Sequence, residues 1–357
     1  MPQHFHLNDY TIFTGDLRET FPDWLSERSY AQVILLTDKN THRHCMPVFL
    51  EKTGLPETIP VIEIPAGEQH KNLDTCGLIW QGMLDTRLDR KALVINLGGG
   101  VIGDMGGFCA ATWKRGVDYV QVPTTLLAMT DAAIGGKLAI DFQGVKNTIG
   151  VFRNPAAVFV DPVFLQTLEN RELRSGLAEV LKHALIGDPE LWRLCTAAFQ
   201  KHGGSIHGLG SPWYLEASIA VKARIVQEDP YEKGLRALLN YGHTIGHALE
   251  SYFLETAEPL THGEAVAIGM ICETWLDAPE KAIGIADMIF RVFPHRIIPE
   301  SAFPELWNLM LQDKKNAAGQ IRMAIPGAVP YTIRILEPNQ EETKRSLLFY
   351  NNLEVSN

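Results

Sequence analysis

The stretch Asn240-Tyr-Gly-His243-Thr-Ile-Gly-His247-Ala-Leu-Glu250, followed by Thr261-His262-Gly-Glu264, concentrates residues that bind metals and move protons. His243 and His247 are four apart, so a helix puts both on one face. His262 opens a second apolar helical run, 265–275. Neutral imidazole is the commonest transition-metal ligand. A single histidine would read as a satisfied core residue. Three among glycines that let elements approach closely read as a metal site.

A carboxylate from elsewhere could complete it. Glu179 and Lys182, in Leu173-Arg174-Ser-Gly176-Leu-Ala-Glu179-Val-Leu-Lys182-His183, share a helical face. A surface ion pair is the alternative, but Ala178, Val180 and Leu181 make the surroundings apolar. Glu179, His243 and His262 would leave open positions, as catalytic zinc requires. His183 and His247 are rival ligands, and spacing alone does not choose. Arg236, Asn240, His243 and His247 recur at i, i+4, i+7 and i+11, one polar stripe on an expected helix. The stripe carries candidate ligands, so it reads as lining a cleft rather than facing solvent. Lys222 and Glu232 lie nearby, and Asp313-Lys314-Lys315 is either an exposed charge run or an anion contact.

The first half offers phosphate chemistry. Gly98-Gly-Gly100-Val101-Ile102-Gly103-Asp104 follows a strand pattern and precedes a helical one, 105–113. Glycines there permit close approach to a pyrophosphate, and a helix N-terminus favours an anion. The spacing is neither the dinucleotide fingerprint nor the Walker pattern. Thr124-Thr125, at a strand end, could bond ribose or phosphate. Asp38 and Asn40 read equally as a turn pair. Asp131-Ala-Ala-Ile-Gly-Gly-Lys137 and Gly144-Val-Lys146-Asn147 form a glycine and lysine cluster suited to anions.

These residues need a scaffold. Strand patterns at 32–36, 61–64, 92–96, 119–122 and 157–160, with a helical run at 78–88, predict parallel βαβ units. Ligands bind beyond the strand ends in such sheets. Beyond 165 helical runs dominate: 172–186, 191–199, 212–226, 235–252, 264–275 and 281–292. Segment 320–325 is β-like and 203–211 the most loop-like. The expected fold is an α/β domain with a parallel sheet (1–168) and a mainly helical domain (169–357).

At 357 residues the chain can hold two substantial cores. It is 46% hydrophobic and 21% charged, too apolar for disorder. A net charge of −10 gives no general attraction to nucleic acid or anionic membrane. Five scattered cysteines without a C-x-x-C pair suit a reducing cytoplasm. No signal-peptide pattern or membrane-length apolar run is visible.

With these motifs assembled, the chain strongly resembles the 3-dehydroquinate synthases of the sugar-phosphate cyclase superfamily. The matching stretches are the glycine loop 98–104, Gln121-Val-Pro-Thr-Thr-Leu-Leu-Ala128, 131–137, 144–150, 171–182, 234–250 and His262-Gly-Glu-Ala-Val-Ala-Ile-Gly-Met270. The resemblance implies an NAD-binding α/β domain, a helical metal-binding domain and a homodimer. It implies zinc, with cobalt as a substitute, held by Glu179, His243 and His262. It assigns NAD contacts to Asp38, Asn40, Glu68, Lys71, Gly100, Val101, Ile102, Gly103, Asp104, Thr124, Thr125, Lys137, Lys146 and Thr167. Substrate and catalytic roles fall to Arg115, Asp131, Lys137, Asn147, Lys182, Lys222, Glu232, Arg236, Asn240, His247 and Lys314.

The implied substrate is the small anionic sugar phosphate 3-deoxy-D-arabino-heptulosonate 7-phosphate, cyclised with loss of phosphate on the shikimate route to chorismate. His247 is the implied proton-transfer group. The chain departs from many members at Ala132-Ala133, Leu138 and Trp113-Lys114, and none of these removes an ionisable group. Rival readings are a paralogous cyclase, a metal-dependent polyol dehydrogenase of the glycerol dehydrogenase type, and a non-catalytic NAD-binding regulator.

Overall fold

The structure is a computed structural model that describes residues 3–143, 145–202, 213–254, 256–312 and 320–354. Lys314 and the expected loop 203–211 lie outside the described residues. The chain divides into two compact units, Met1–Glu169 and Asn170–Asn357.

Unit 1 carries strands β1 (Gln3–His6), β2 (Thr11–Thr14), β3 (Gln32–Asp38), β4 (Val61–Ile64), β5 (Ala92–Gly98), β6 (Asp118–Pro123), β7 (Lys137–Phe142), β8 (Val145–Phe152) and β9 (Ala157–Val160). Its helices are α1 (Leu17–Ser26), α2 (Lys39–His44), α3 (Met46–Thr53), α4 (Leu73–Asp85) and α5 (Gly100–Thr112). The main sheet has seven strands in the order β1-β2-β9-β6-β5-β3-β4. Only the β1–β2 pairing within it is antiparallel. β5 is buried throughout, as a central parallel strand must be. From β3 the chain moves outward to β4, whereas from β5 it moves the other way to β6. The order therefore reverses between β3 and β5, and ligands of open α/β sheets bind beyond the strand ends at such a switch point. Asp38 ends one strand and Gly98 the other.

One face of the sheet packs on a core that includes Leu36, Val94, Ile102, Met105 and Tyr119. The separate β7–β8 hairpin contributes Leu138 and Ile140 to it. Leu138, one of the departures, fills the space left by Gly107: a Cβ there would lie 2.4 Å from Leu138 Cδ2. The departure is a packing choice.

Unit 2 is mainly helical: α6 (Asn170–Gly187), α7 (Pro189–His202), α8 (Trp213–Glu228), α9 (His243–Leu254), α10 (His262–Asp277), α11 (Pro279–Ile289), α12 (Phe303–Gln312) and α13 (Gln340–Asn351). The single described ladder is β10 (Met323–Pro326) with β11 (Ile333–Leu336). α10 is buried over Ala265–Thr274 and packs against α6, α9, α11 and α13. Small residues set the spacing. A Cβ on Gly269 would meet Gly242 O at 1.9 Å, and one on Gly263 would meet Ser175 O at 2.0 Å. The backbones of α9 and α6 thus come against α10 where no methyl group fits.

Two expectations need correction. The helical run 235–252 is two pieces, a 3-10 segment Leu235–Asn240 and α9, so the stripe from Arg236 to His247 is not one helix face. The break is Gly242 at φ +78°, a left-handed conformation tolerated best by glycine. Asp38 and Asn40 are not a plain turn pair. Asp38 caps α2, its side chain accepting the N–H groups of Asn40 and Thr41 at 2.8 Å each.

Among the described residues no helix is long and apolar enough to cross a membrane.

Candidate functional site

In unit 2 three elements bring three candidate ligands together. Glu179 projects from the middle of α6 and is fully buried. His243 is the first residue of α9 and His262 the first of α10. The start of α10 is fixed by a Thr261/Glu264 capping box, and Arg171 of α6 grips Glu264 at 2.7 Å. The Nε2 atoms of His243 and His262 each lie 3.5 Å from Glu179 Oε1. The three ligand atoms fall within 4.8 Å of one another.

The opposite ring nitrogens are held in place. His243 Nδ1–H donates to the Tyr241 carbonyl at 3.0 Å, and His262 Nδ1–H to Glu250 at 3.1 Å. This puts the lone pair of each neutral ring on Nε2, facing Glu179. Metal-binding histidines are commonly oriented by such partners. Two imidazoles and one carboxylate also match the donor set of catalytic zinc sites. Burial disfavours the charged form of His262. The hydrogen bonds and field of Glu179 and Glu250 outweigh that and hold its pKa up at about 10. A metal bound at Nε2 would have to displace that proton, so its affinity at this site should rise with pH.

His247 is half-buried, with its ring centroid 5.1 Å from that of His243 and 5.9 Å from that of His262. It can group with Glu250 and His262 as a second ligand set. His183, the other rival, is buried with Nδ1 2.7 Å from Ser218 Oγ, and it too offers a ligand atom within 4.8 Å of one from Glu179.

Several cations expected to meet substrate are buried. Lys182 pairs with Glu179 and donates to Leu239 O at 2.8 Å. Lys222 is also buried, and Arg236 is buried while donating to the Pro230 carbonyl. Asn240 donates to Glu232 at 2.6 Å, which engages its amide nitrogen. Buried charge is expensive unless it is paired and hydrogen-bonded, and Glu179 and Leu239 O do this for Lys182 as Pro230 O does for Arg236.

In unit 1 the glycine loop becomes the N-terminus of α5. Gly99 is the cap and Gly103 N–H bonds back to Gly99 O at 3.0 Å. The amides of Gly100, Val101 and Ile102 belong to the first turn, which has no intrahelical acceptor. A Cβ on Gly98 would meet Ile102 at 2.5 Å. The helix therefore starts earlier than the expected 105, at the glycines themselves. Thr124 N–H donates to Gly98 O at 3.0 Å, and Thr125 Oγ1 accepts Ala128 N–H at 3.2 Å. These threonines shape the loop's neighbourhood. Thr167 closes the 3-10 turn Pro162–Thr167.

Lys71 is the hub of this region. Its Nζ donates to Asp104 at 2.6 Å and to Asn147 at 2.7 Å, and lies 4.0 Å from Glu68. Burial works against its charge, but Asp104 and Glu68 raise its pKa above the ordinary lysine value. The β7–β8 hairpin is latched to the same point. Lys71 O accepts Asp141 N–H, and Asp141 accepts the N–H of Asn147, which sits at φ +52°. Lys146 is half-buried and Lys137 exposed on that hairpin. Arg115 is exposed at φ +72°, and Asp131 lies half-buried in a π-helical turn, Ala128–Ala132.

The fold is shared with known enzymes. A 2-deoxy-scyllo-inosose synthase structure, complexed with carbaglucose-6-phosphate, NAD+ and Co2+, superposes with a TM-score of 0.80 at 23% identity, covering 97% of this chain and 99% of that one. A 2-epi-5-epi-valiolone synthase from Streptomyces hygroscopicus, with NAD+ and Zn2+ bound, gives 0.79 at 24% identity and 98% coverage of each. The chain shares the fold of these two enzymes.

Sequence narrows the class. Residues 61–175 match the family described as 3-dehydroquinate synthase N-terminal, and 176–316 the one described as 3-dehydroquinate synthase C-terminal. The 3-dehydroquinate synthase of Parabacteroides distasonis is 38% identical, over 94% of this chain and 95% of that protein. The chain belongs to the 3-dehydroquinate synthase family.

Proposed function

We propose that the chain converts 3-deoxy-D-arabino-heptulosonate 7-phosphate to 3-dehydroquinate and phosphate. The supporting observation is the family match across both units, joined to convergence of two Nε2 atoms on Glu179. Glu179, His243 and His262 would hold the divalent cation, zinc or cobalt. It would supply Lewis-acid polarisation of a substrate hydroxyl. The first turn of α5, with Asp38, Asn40, Glu68, Lys71, Asp104, Thr124, Thr125 and Thr167, would hold NAD, the reversible hydride acceptor.

The remaining residues handle protons and anions. His247, one helical turn from His243, takes the proton of the hydroxyl being oxidised. Asn147 accepts from Lys71 through Oδ1, so its amide nitrogen remains a donor for phosphate. Arg115, Lys137 and Lys146 complete the phosphate contacts and offset charge as phosphate leaves. Asn240 donates to Glu232, which turns its amide oxygen to a substrate hydroxyl. Lys182, Lys222 and Arg236 receive the carboxylate and ring oxygens, with Asp131 and Lys314 assigned to the same substrate. NAD held at the first turn of α5 would supply the reversible oxidation at C5 that acidifies the C6 proton, and the cations above would offset charge as phosphate leaves C7.

The working unit in this reading is a homodimer in the cytoplasm. The five cysteines are free and buried, the state expected in a reducing compartment.

Purified protein with NAD, zinc and the heptulosonate phosphate should release one phosphate per substrate with no net NADH. Accumulating NADH would mean a dehydrogenase, and phosphate only from another sugar phosphate would mean a different cyclase.

A further inference from the structure

Glu273 has no part in the chemistry above, yet it is fully buried in α10. Its Oε2 accepts the N–H of Gly242 at 2.8 Å, and its Oε1 accepts the N–H of Ile245 at 3.0 Å. One carboxylate thus spans the N-terminal turn of α9, with His243 between its two anchor points. A helix start usually supplies such acceptors from its own cap residue. Here the cap position cannot carry a side chain. Gly242 has φ +78°, and a Cβ on it would lie 2.6 Å from Met270 Cγ and 2.9 Å from Val266 O. The acceptor therefore comes from the neighbouring helix. A carboxylate at a helix N-terminus also complements the helix dipole.

The same face of α10 holds the other side of the turn. The Tyr241 hydroxyl donates to Met270 O at 3.1 Å and meets the Thr274 hydroxyl. Tyr241 O in turn receives His243 Nδ1–H. α10 begins at His262, so one helix carries one candidate ligand and, three turns later, fixes the backbone that aims another.

We propose that Glu273 is a positioning residue for His243, setting the direction of its Nε2 and hence the affinity for the divalent cation. The proposal rests on reading Glu179, His243 and His262 as the metal site. Glu273→Gln keeps the volume but turns an N–H2 group toward one of the two backbone donors. Only one amide can then be satisfied, and the turn must shift.

Zn2+ binding measured by calorimetry, and Co2+ binding followed by its visible absorption, test this. Wild type, Glu273→Gln, Glu273→Asp and His243→Ala are compared, with NAD affinity and helical content measured alongside. The expected result for Glu273→Gln is a Zn2+ Kd weaker by about 10–100-fold, the usual effect of losing a ligand-orienting partner, with an altered Co2+ spectrum and unchanged NAD affinity. Glu273→Asp, which keeps the charge one methylene further back, should fall between. Wild-type Zn2+ affinity with an unchanged Co2+ spectrum in Glu273→Gln would overturn the proposal. Should that variant lose helical content, Glu273→Asp carries the same comparison. Undiminished metal binding by His243→Ala would instead remove the metal-site reading itself.

Discussion

Glu179→Gln loses the divalent cation and weakens the fold as well. The substitution keeps the shape and removes the charge on which His243, His262 and Lys182 converge. Lys182 is only 1% exposed, so its ammonium stays in the interior, still donating to Leu239 O but without the carboxylate charge of Glu179 beside it. Removing one partner of a buried ion pair typically costs about 3–5 kcal/mol, because the survivor cannot be resolvated. Such a loss is a large share of the roughly 5–15 kcal/mol that holds a typical protein folded. Denaturant titration should show the drop, and a Co2+ titration should show no saturable band. Turnover should fall with the metal. If Glu179→Gln binds metal normally and melts like the wild type, Glu179 is neither ligand nor linchpin.

His247→Ala should separate chemistry from binding. His247 lies one turn beyond His243, half-buried, and its ring neighbours each have a separate hydrogen-bond partner on Nδ1. His262 is oriented by Glu250, and His243 by Tyr241 O. Zinc content and NAD affinity should therefore survive. Turnover should fall by roughly two to four decades, the usual contribution of a positioned acid–base group. Near-normal turnover would remove the proton-transfer role. Loss of zinc would place His247 among the ligands, as its grouping with Glu250 and His262 permits.

What the sequence makes legible follows from how local each cause is. β9 matches the expected 157–160 because a buried parallel strand is written as a continuous apolar run, whereas the edge strand β4 matches 61–64 through alternation, with Glu63 exposed between the buried Ile62 and Ile64. The hairpin β7–β8 is not, since alternate exposure along β8 mixes its apolar residues with Asn147, Thr148 and Gly150. α1 hides behind the internal Pro22, although Asp16 caps it. β1 is short and polar, with nothing to distinguish it from a loop.

The candidate site divides the same way. The histidines and the glycine loop stand out by residue type and spacing. The convergence of Glu179 depends on α6 packing against α10, which no local spacing encodes. The break at Gly242 has a distant cause too, the approach of Met270 and Val266. Glu273 was invisible for the same reason, because its partners are backbone amides on another helix. Glu250 carried a fainter signal: at i+3 from His247 and i+7 from His243 it shares their helical face.

The position of the metal itself is the most direct test. Crystals grown with zinc, with anomalous scattering recorded at the zinc edge, should show one strong peak in unit 2. It should lie about 2.0–2.2 Å from a Glu179 carboxylate oxygen and from Nε2 of both His243 and His262. A peak bonded instead to His183, or to His247 with Glu250, would contradict the account.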